Sequence, residues 1–265
     1  SRDNGQRFDV QVDSVQELLE KSGLKEMDYV VNCIGVTKSH IDDSDYRSVE
    51  RAVRINSLFP FNLARAAEEK GIRVIQVATD CVFSGDEGGY IESSSHDAKD
   101  VYGKTKSLGE VPSESTMHLR CSLIGPEEPG RSTLFFEWVR NLSPGARVSG
   151  YVNHFWNGLT STAFAHIVSG IVMEGHFRSG VQHLVPSDAV TKLELMRLIL
   201  DHLDHGQAVL VDQVETQPAV DRTLSTSSPR QNRDLFELGG FKTTPSIREM
   251  IEGLPWTELG RKNLV

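Results

Sequence analysis

The sequence of 265 residues contains little cysteine, no long apolar run and no excess of basic residues. Its three cysteines, Cys33, Cys81 and Cys121, are an odd number with wide spacings, which excludes a disulfide framework and a zinc knuckle and indicates a reducing compartment. No stretch approaches the roughly 20 apolar residues of a membrane span. Lys and Arg total 28 against 37 Asp and Glu, giving a net charge of −9, so bulk charge does not favour nucleic acid or a membrane as a partner. We therefore expect a cytoplasmic protein.

The first half of the chain alternates between strand-like and helix-like segments. Short apolar runs predict strands over residues 29–34, 74–77 and 117–123, of which the first suits a strand buried on both faces. Helical patterns lie between them, over residues 15–21, 46–70 and 101–110, with Pro60 expected to kink or split the longest. This alternation predicts right-handed crossovers and a parallel sheet.

After Gly125 the pattern changes to a mixture of loops, short helices and a strand over residues 181–185. Helices are predicted over residues 133–141, 161–174, 192–203 and 246–253. We therefore expect an α/β protein with two domains, a doubly wound parallel sheet over residues 1–125 and a smaller mixed α/β lobe over residues 126–265, some segments of which return to the first domain.

The strongest chemical signal is the pair Tyr102 and Lys106, four residues apart in a predicted helix and therefore on one helical face. A phenol titrates near pH ~10, and a nearby ammonium is expected to lower its pKa. Such a pair can give a proton to a carbonyl oxygen while hydride reaches the carbon. In isolation the spacing is common on solvated helices, so further residues must support it.

Two predicted strand ends supply that support. Thr79 follows the strand over residues 74–77, and ligands of open parallel sheets bind beyond the carboxyl ends of the strands. Its hydroxyl could hydrogen-bond the same substrate oxygen as Tyr102. Gly35 ends the preceding strand, where a residue without a side chain lets a cofactor approach the backbone closely.

Together these motifs resemble the extended short-chain dehydrogenases, and within them the group of dTDP-4-dehydrorhamnose reductase. The resemblance is carried by the run from Ala78 to Glu110, by Val31 to Gly35, by Asn56 in its helix, and by Leu119 to Gly125. It implies a Rossmann-type fold and an NAD(P)H-dependent reductase that acts on the keto group of a nucleotide-activated deoxysugar. NADP is the expected cofactor, with NAD as the second choice, and a nucleotide sugar is the expected partner.

The resemblance also implies roles for individual residues. Tyr102 is the expected acid, Lys106 its partner and a contact to the nicotinamide ribose, and Thr79 orients the carbonyl. The other expected cofactor-binding residues are Arg2, which would pair with a 2′-phosphate, and Cys33, Ile34, Gly35, Asn56 and Ala78. The expected substrate-binding residues are Asp80, Cys81, Val82, Trp156 and Arg222. No metal site is expected.

The sequence departs from the family in one important respect, because it has no Gly-x-x-Gly-x-x-Gly motif to hold the pyrophosphate. We expect that the sequence starts inside a longer protein, and the alternative is a natural loss of the loop. Smaller departures are Cys81 and Ser84, where the family often has Tyr and Asp. Three readings stay open beside the reductase: an epimerase of the same fold, a dehydratase, disfavoured because no Glu follows Asp80, and a non-catalytic binding subunit. A homodimer is also left open.

Overall fold

The computed structural model describes residues 7–127 and 133–256, which form two compact units. Unit 1 consists of the described residues of Ser1–Val82, with His96–Arg120 and Phe177–Gln182. Unit 2 consists of the described residues of Phe83–Ser95, Cys121–His176 and His183–Val265. The chain is thus α/β, as predicted, and each unit is described by itself.

The helices and strands follow each other closely along the chain. The helices are α1 Val15–Lys21, α2 Tyr46–Ala52, α3 Phe59–Lys70, α4 Val101–Leu108, α5 Phe135–Arg140, α6 Ser161–Met173, α7 Lys192–Leu200, α8 Pro229–Leu238 and α9 Ile247–Glu252. The strands are β1 Tyr29–Asn32, β2 Arg73–Ala78, β3 Thr116–Arg120, β4 Leu123–Ile124, β5 Arg147–Tyr151, β6 His154–Trp156, β7 Leu159–Thr160, β8 Gly180–His183, β9 Val190–Thr191, β10 Leu210–Val214 and β11 Val220–Asp221.

Unit 1 is built on the sheet of order β1-β2-β3-β8, in which β1, β2 and β3 are parallel. This confirms the predicted parallel sheet. Its register aligns Asn32 with Gln76 and Gln76 with His118 on three adjacent strands. Helices α1 and α3 bury apolar side chains in one core cluster with the start of β2, including Leu19, Leu63 and Val74.

Strand β1 differs from its prediction. It ends at Asn32, and the side chain of Val31 is 38% exposed, whereas burial on both faces was expected. In the described chain β1 pairs only with β2, so its other edge lies open. Strand β2, which has a neighbour on each side, is mostly buried as expected.

The long helix predicted over residues 46–70 is divided by a π-helix, Val53–Leu58, between α2 and α3. Pro60 does not cause a break, because it lies in the first turn of α3, where its missing N–H costs no hydrogen bond. Asn56 lies in the π-helix, and such insertions are frequent at functional sites.

Unit 2 contains small sheets of order β10-β5, β11-β6-β9 and β4-β7. Helix α7 packs on β5, and α6 packs on α8. The segment 83–95 belongs to this unit, because Tyr90 pairs with the chain after β11, its N–H donating to Thr223 O at 3.0 Å. The predicted division at residue 125 concerns functional domains and stays a prediction. Within the described ranges, no helix is both long enough and apolar enough to cross a bilayer.

Candidate active site

The structure brings Thr79 and Tyr102 together in unit 1. Strand β2 ends at Ala78, and the chain then turns through the short 3-10 helix Asp80–Val82. Helix α4 begins after Asp100, whose carboxylate accepts a hydrogen bond from Gly103 N at 2.8 Å. Tyr102, on the first turn of α4, shares a side-chain hydrogen bond with Thr79. The hydroxyl groups expected to meet a substrate carbonyl are therefore adjacent.

Gly103 makes this approach possible. A Cβ atom at this position would lie 2.2 Å from the carbonyl oxygen of Cys81 and 2.4 Å from the Ala98 side chain. Real Cβ atoms do not come this close to backbone, so any larger residue would push α4 away from the turn after β2. Sequence reasoning missed this residue, although it stands between the two residues that carried the motif.

The pKa of Tyr102 is raised from its ordinary value, chiefly by burial, with further contributions from the charges of Cys81, Asp80 and Asp100. The hydrogen bond with Thr79 acts in the opposite direction and is outweighed. The expectation that an ammonium would lower this pKa is therefore wrong for the protein alone. The phenol therefore keeps its proton at neutral pH, as a proton donor must, and the raised pKa makes it a weaker acid than an ordinary phenol.

Lys106 lies one turn further along α4, and its Nζ donates to the carbonyl oxygen of Val77 at 2.8 Å. Burial lowers the pKa of Lys106 to about 8, against the charges of Glu110 and Cys81, which raise it. The amine therefore remains mainly an ammonium at neutral pH and titrates just above it. Val77 is the next-to-last residue of β2, so the same strand end holds Thr79 and the acceptor for Lys106.

Thr79 is held by its neighbours in the turn. Its Oγ1 accepts from Cys81 N at 3.2 Å and donates to Asp80 Oδ1 at 3.2 Å. Thr79, Asp80 and Val82 are buried, and Cys81 is half-buried. The substrate-contact roles of Asp80, Cys81 and Val82 stay predictions. None of Cys33, Cys81 and Cys121 forms a disulfide.

The residues expected to bind the cofactor differ in exposure. Cys33, Ile34 and Gly35 follow β1 and are exposed, whereas Ala78 is buried at the end of β2. Their roles stay predictions, and the backbone of Gly35 shows no positive φ. Arg2 lies outside the described residues.

Asn56 is a buried link between the loop after β1 and α4. Its Oδ1 accepts from Val36 N at 2.8 Å, and its Nδ2 donates to Val36 O at 3.0 Å and to Thr105 Oγ1 at 3.2 Å. Both ends of the amide are therefore used inside the protein. Through Thr105, Asn56 thus supports the helix that carries Tyr102. The expected contact of Asn56 with a cofactor stays a prediction.

Behind α4 lies a buried ion pair that sequence reasoning missed. Arg120 on β3 is 1% exposed, and its Nε donates to Glu110 Oε1 at 3.0 Å while its Nη2 bonds Oε2 of the same carboxylate. Nη2 also lies 2.9 Å from His96 Nε2. Both partners stand in the segments that carried the family resemblance, which was the available signal. The pair ties the end of α4 to the sheet.

In unit 2, Trp156 and Arg222 are engaged in packing. Trp156 is 4% exposed and donates from Nε1 to Ser122 Oγ at 2.8 Å. Arg222 donates from Nε to Phe83 O at 2.9 Å and lies against Gly85, whose φ is +90°. Substrate contacts of Trp156 and Arg222 stay predictions.

Unit 2 also contains a cavity of about 380 Å³ that the sequence did not reveal. Its wall is largely aromatic, with one lysine and one histidine; the lining residues are Phe135, Trp138, Val148, Ser149, Tyr151, His154, Lys192 and Met196. The rings of Tyr151 and His154 are stacked at 4.6 Å. Lys192 Nζ lies 4.8 Å from the ring centroid of Phe135 and 5.4 Å from that of Trp156. Within the described chain, no group of three or more His, Cys, Asp or Glu side chains could hold a metal ion.

A family model and a curated relative both match the first part of the chain. Residues 5–122 match the family model described as the RmlD substrate binding domain. The chain is 34% identical over 92 residues to a dTDP-4-dehydrorhamnose reductase of Mycobacterium tuberculosis. That match covers 33% of this chain and only 29% of the length of the relative.

Solved structures show the same fold. A dTDP-4-dehydrorhamnose reductase of Clostridium acetobutylicum is 21% identical with a TM-score of 0.71, covering 92% of this chain and 84% of that one. The Bacillus anthracis reductase in complex with NADP is 20% identical with a TM-score of 0.69, covering 90% and 82%. The enzyme WbmG of Bordetella bronchiseptica, in complex with NAD and UDP, is 21% identical with a TM-score of 0.68, covering 96% and 79%.

The family model covers the segment that contains Thr79, Tyr102, Lys106 and the buried Arg120–Glu110 pair, and the fold comparisons extend over most of the chain. Over residues 5–122 the chain is therefore similar to the RmlD substrate binding domain family, and the solved dTDP-4-dehydrorhamnose reductases share its fold.

Proposed function

We propose that this protein is an NADPH-dependent reductase of the keto group of a nucleotide-activated deoxysugar. The observation that carries the proposal is the adjacency of Thr79 and Tyr102, with Lys106 one turn along the same helix. The relative from Mycobacterium tuberculosis is named dTDP-4-dehydrorhamnose reductase, and the Bacillus anthracis neighbour is solved with NADP. Both agree with the chemistry that these side chains can perform.

Each side chain has one task in the reduction. The raised pKa of Tyr102 keeps its phenol protonated, so it can deliver that proton to the carbonyl oxygen as negative charge develops there. Thr79 has a single hydroxyl proton, which it donates to Asp80 Oδ1 in this structure. With substrate bound, it would donate that proton to the carbonyl oxygen instead and orient it. Lys106, as an ammonium, stabilises the phenolate that remains.

The residues of unit 1 fit the nicotinamide end of a dinucleotide. Cys33, Ile34 and Gly35 are exposed at the carboxyl end of β1, where parallel sheets bind such ligands, and Lys106 has N–H donors beyond the one used by Val77 O. When bound, the reduced nicotinamide supplies the hydride for the keto carbon. Arg2 remains the proposed partner of a 2′-phosphate, and binding of NADH equal to that of NADPH would remove it from the site.

In unit 2, considered by itself, one cavity suits a nucleotide. A cavity of about 380 Å³ lies in the usual range of small-molecule sites, and its aromatic wall suits a flat base. Burial and the positive charges of Lys192 and Arg222 lower the pKa of His154. Both cations therefore lie close enough to His154 for their charges to act on its imidazole. A pair of cations near one point favours an anion with two charged groups, such as a diphosphate.

The test is steady-state reduction of a dTDP-4-keto-6-deoxysugar by the full-length gene product, followed through NADPH consumption. Tyr102→Phe should bind the substrate but turn over about 10²- to 10⁴-fold more slowly. Near-normal turnover of this variant would assign the acid to another residue. A protein that binds the nucleotide sugar but neither binds nor oxidises NADPH would be a binding subunit. Interconversion of sugar epimers without net NADPH consumption would indicate an epimerase.

We also propose a cytoplasmic homodimer. Disulfide-free Cys33 and Cys81 agree with a reducing compartment. Exposed apolar side chains on the α2 to α3 segment, Leu58 at 51% and Phe61 at 41%, offer a surface for a second copy. Sedimentation of the protein and of Leu58→Glu tests the assembly, and a monomer in both would remove it.

A further inference from the structure

Two buried amide side chains lie side by side in the main sheet of unit 1. Asn32 on β1 and Gln76 on β2 are register partners, and each is 3% exposed. Asn32 Nδ2 donates to Gln76 Oε1 at 2.7 Å. Burying amides costs free energy unless every bond is made, and apolar residues occupy most of β2. The pair therefore calls for an explanation beyond packing.

The remaining bonds of the two amides lead to the proposed site. Asn32 Oδ1 accepts from Ile34 N at 3.0 Å, which fixes the loop after β1. Gln76 Nε2 donates to Val77 O at 3.1 Å, the same carbonyl that accepts from Lys106 Nζ at 2.8 Å. Four hydrogen bonds thus form one path from the exposed loop to the Lys106 ammonium.

The path also fixes which way each amide points. Ile34 N can only donate, so Asn32 must present its oxygen there and its nitrogen to Gln76. Val77 O can only accept, so Gln76 must present its nitrogen to Val77 and its oxygen to Asn32. Both ends demand the same arrangement, and a flipped amide would break two bonds.

We infer that Gln76 is a positioning residue, which holds the Val77 carbonyl, and through it the Lys106 ammonium, in a fixed relation to the loop of Cys33, Ile34 and Gly35. The inference rests on the proposed function, in which Lys106 acts on Tyr102 and that loop lines the cofactor site. Gln76 itself touches neither Tyr102 nor Lys106 by any hydrogen bond found in the described chain. Its effect passes through one shared carbonyl group.

The first test compares Gln76→Met with Ile75→Val. Met has a similar length but cannot bond Val77 O or Asn32, whereas Ile75→Val removes a buried methyl from the neighbouring residue of β2 and leaves the path intact. In Gln76→Met we expect kcat to fall about 10- to 100-fold with the KM for the sugar unchanged, since small displacements of a catalytic group have effects of this size. Ile75→Val should keep its kcat.

Gln76→Glu supplies a rescue that packing alone would not produce. A protonated carboxyl can donate to Val77 O and accept from Asn32, and burial raises the pKa of a carboxyl. Relative to the unmutated protein at the same pH, this variant should be active at low pH and lose kcat as the pH rises through that pKa, while the fold, followed by circular dichroism at each pH, is retained. Equal kcat for Gln76→Met and Ile75→Val, or a kcat of Gln76→Glu that keeps a constant ratio to that of the unmutated protein across the pH range, would overturn the inference.

A measurement without turnover separates this inference from the proposed function. NMR of ¹⁵N-labelled lysine should show a hydrogen-bonded Lys106 ammonium in the unmutated protein, identified by its absence from Lys106→Met. The signal should move toward those of exposed lysines in Gln76→Met and stay in place in Ile75→Val. An unmutated protein without reductase activity would refute the proposed function, and the NMR result would still decide on Gln76. An unmoved Lys106 signal in Gln76→Met would overturn the inference even in an active enzyme.

Discussion

Raising the pH should abolish catalysis through Lys106 well before Tyr102 loses its proton. Burial places the pKa of Lys106 at about 8, so about 90% of the amine is an ammonium at pH 7 and about 10% at pH 9. The pKa of Tyr102 is raised above its ordinary value of 10.0, so the phenol stays protonated throughout this range. Deprotonation of Lys106 removes the positive charge that stabilises the phenolate, so activity should fall as the pH rises through the pKa of Lys106.

The assay is kcat/KM for NADPH between about pH 6 and 10, since this ratio reports the pKa values of the free protein. We expect one alkaline limb with a midpoint near 8 and a slope of about tenfold per pH unit beyond it. Lys106→Arg should lower activity, because a guanidinium does not replace an ammonium geometrically, but it should remove the limb because Arg keeps its charge. Lys104→Arg, an exposed change on the same helix, is the matched control and should keep the limb.

A limb that persists in Lys106→Arg would refute the reasoning, because the titrating group would then be another residue, with Cys81 the first to examine. A midpoint above about 10 would contradict the effect of burial on Lys106.

Two further changes test the scaffold of the site. Gly103→Ala should destabilise the protein by about 1–3 kcal/mol and reduce turnover, because its Cβ would lie 2.2 Å from Cys81 O. Unchanged stability in urea and an unchanged kcat would show that α4 can shift without a cost in free energy. Arg120→Leu should cost about 3–5 kcal/mol of stability, since it leaves the buried Glu110 without this partner, whereas Arg147→Leu, which breaks an exposed ion pair, should have a much smaller effect. Equal urea midpoints for the two arginine variants would refute the distinction.

The part of the site in unit 1 could be predicted because it depends on short spacings. Residues four apart on a helix share a face, and the carboxyl end of a parallel strand is where ligands bind, so the pattern made Thr79, Tyr102 and Lys106 candidates. The family resemblance supplied their expected roles. The direction of the Tyr102 pKa could not be predicted, because it depends on burial and on the charges of Cys81 and Asp80, which come from the turn after β2.

The cavity of unit 2 could not be predicted, for a different reason. Its wall combines α5, β5 and α7, whose residues are separated by about 60 positions and share no spacing rule. Strand β5 was not recognised, because Ser149 and Gly150 interrupt its apolar pattern. The residue of this region that the family resemblance singled out, Trp156, is buried in packing.

The residues that support the site have roles that cannot be read from the sequence. Gln76 is a buried amide and Gly103 has no side chain, so each reads in the sequence as an ordinary strand or helix residue. Asn56, also a buried amide, was singled out by the family resemblance, but as a contact to the cofactor. Their importance comes from where their bonds end: Asn56 joins the loop after β1 to α4, and Gln76 joins β1 to the carbonyl that holds Lys106. Because a buried amide that is bonded at both its oxygen and its nitrogen disfavours the flipped arrangement, these positions fix the geometry on which a proton transfer at Tyr102 depends.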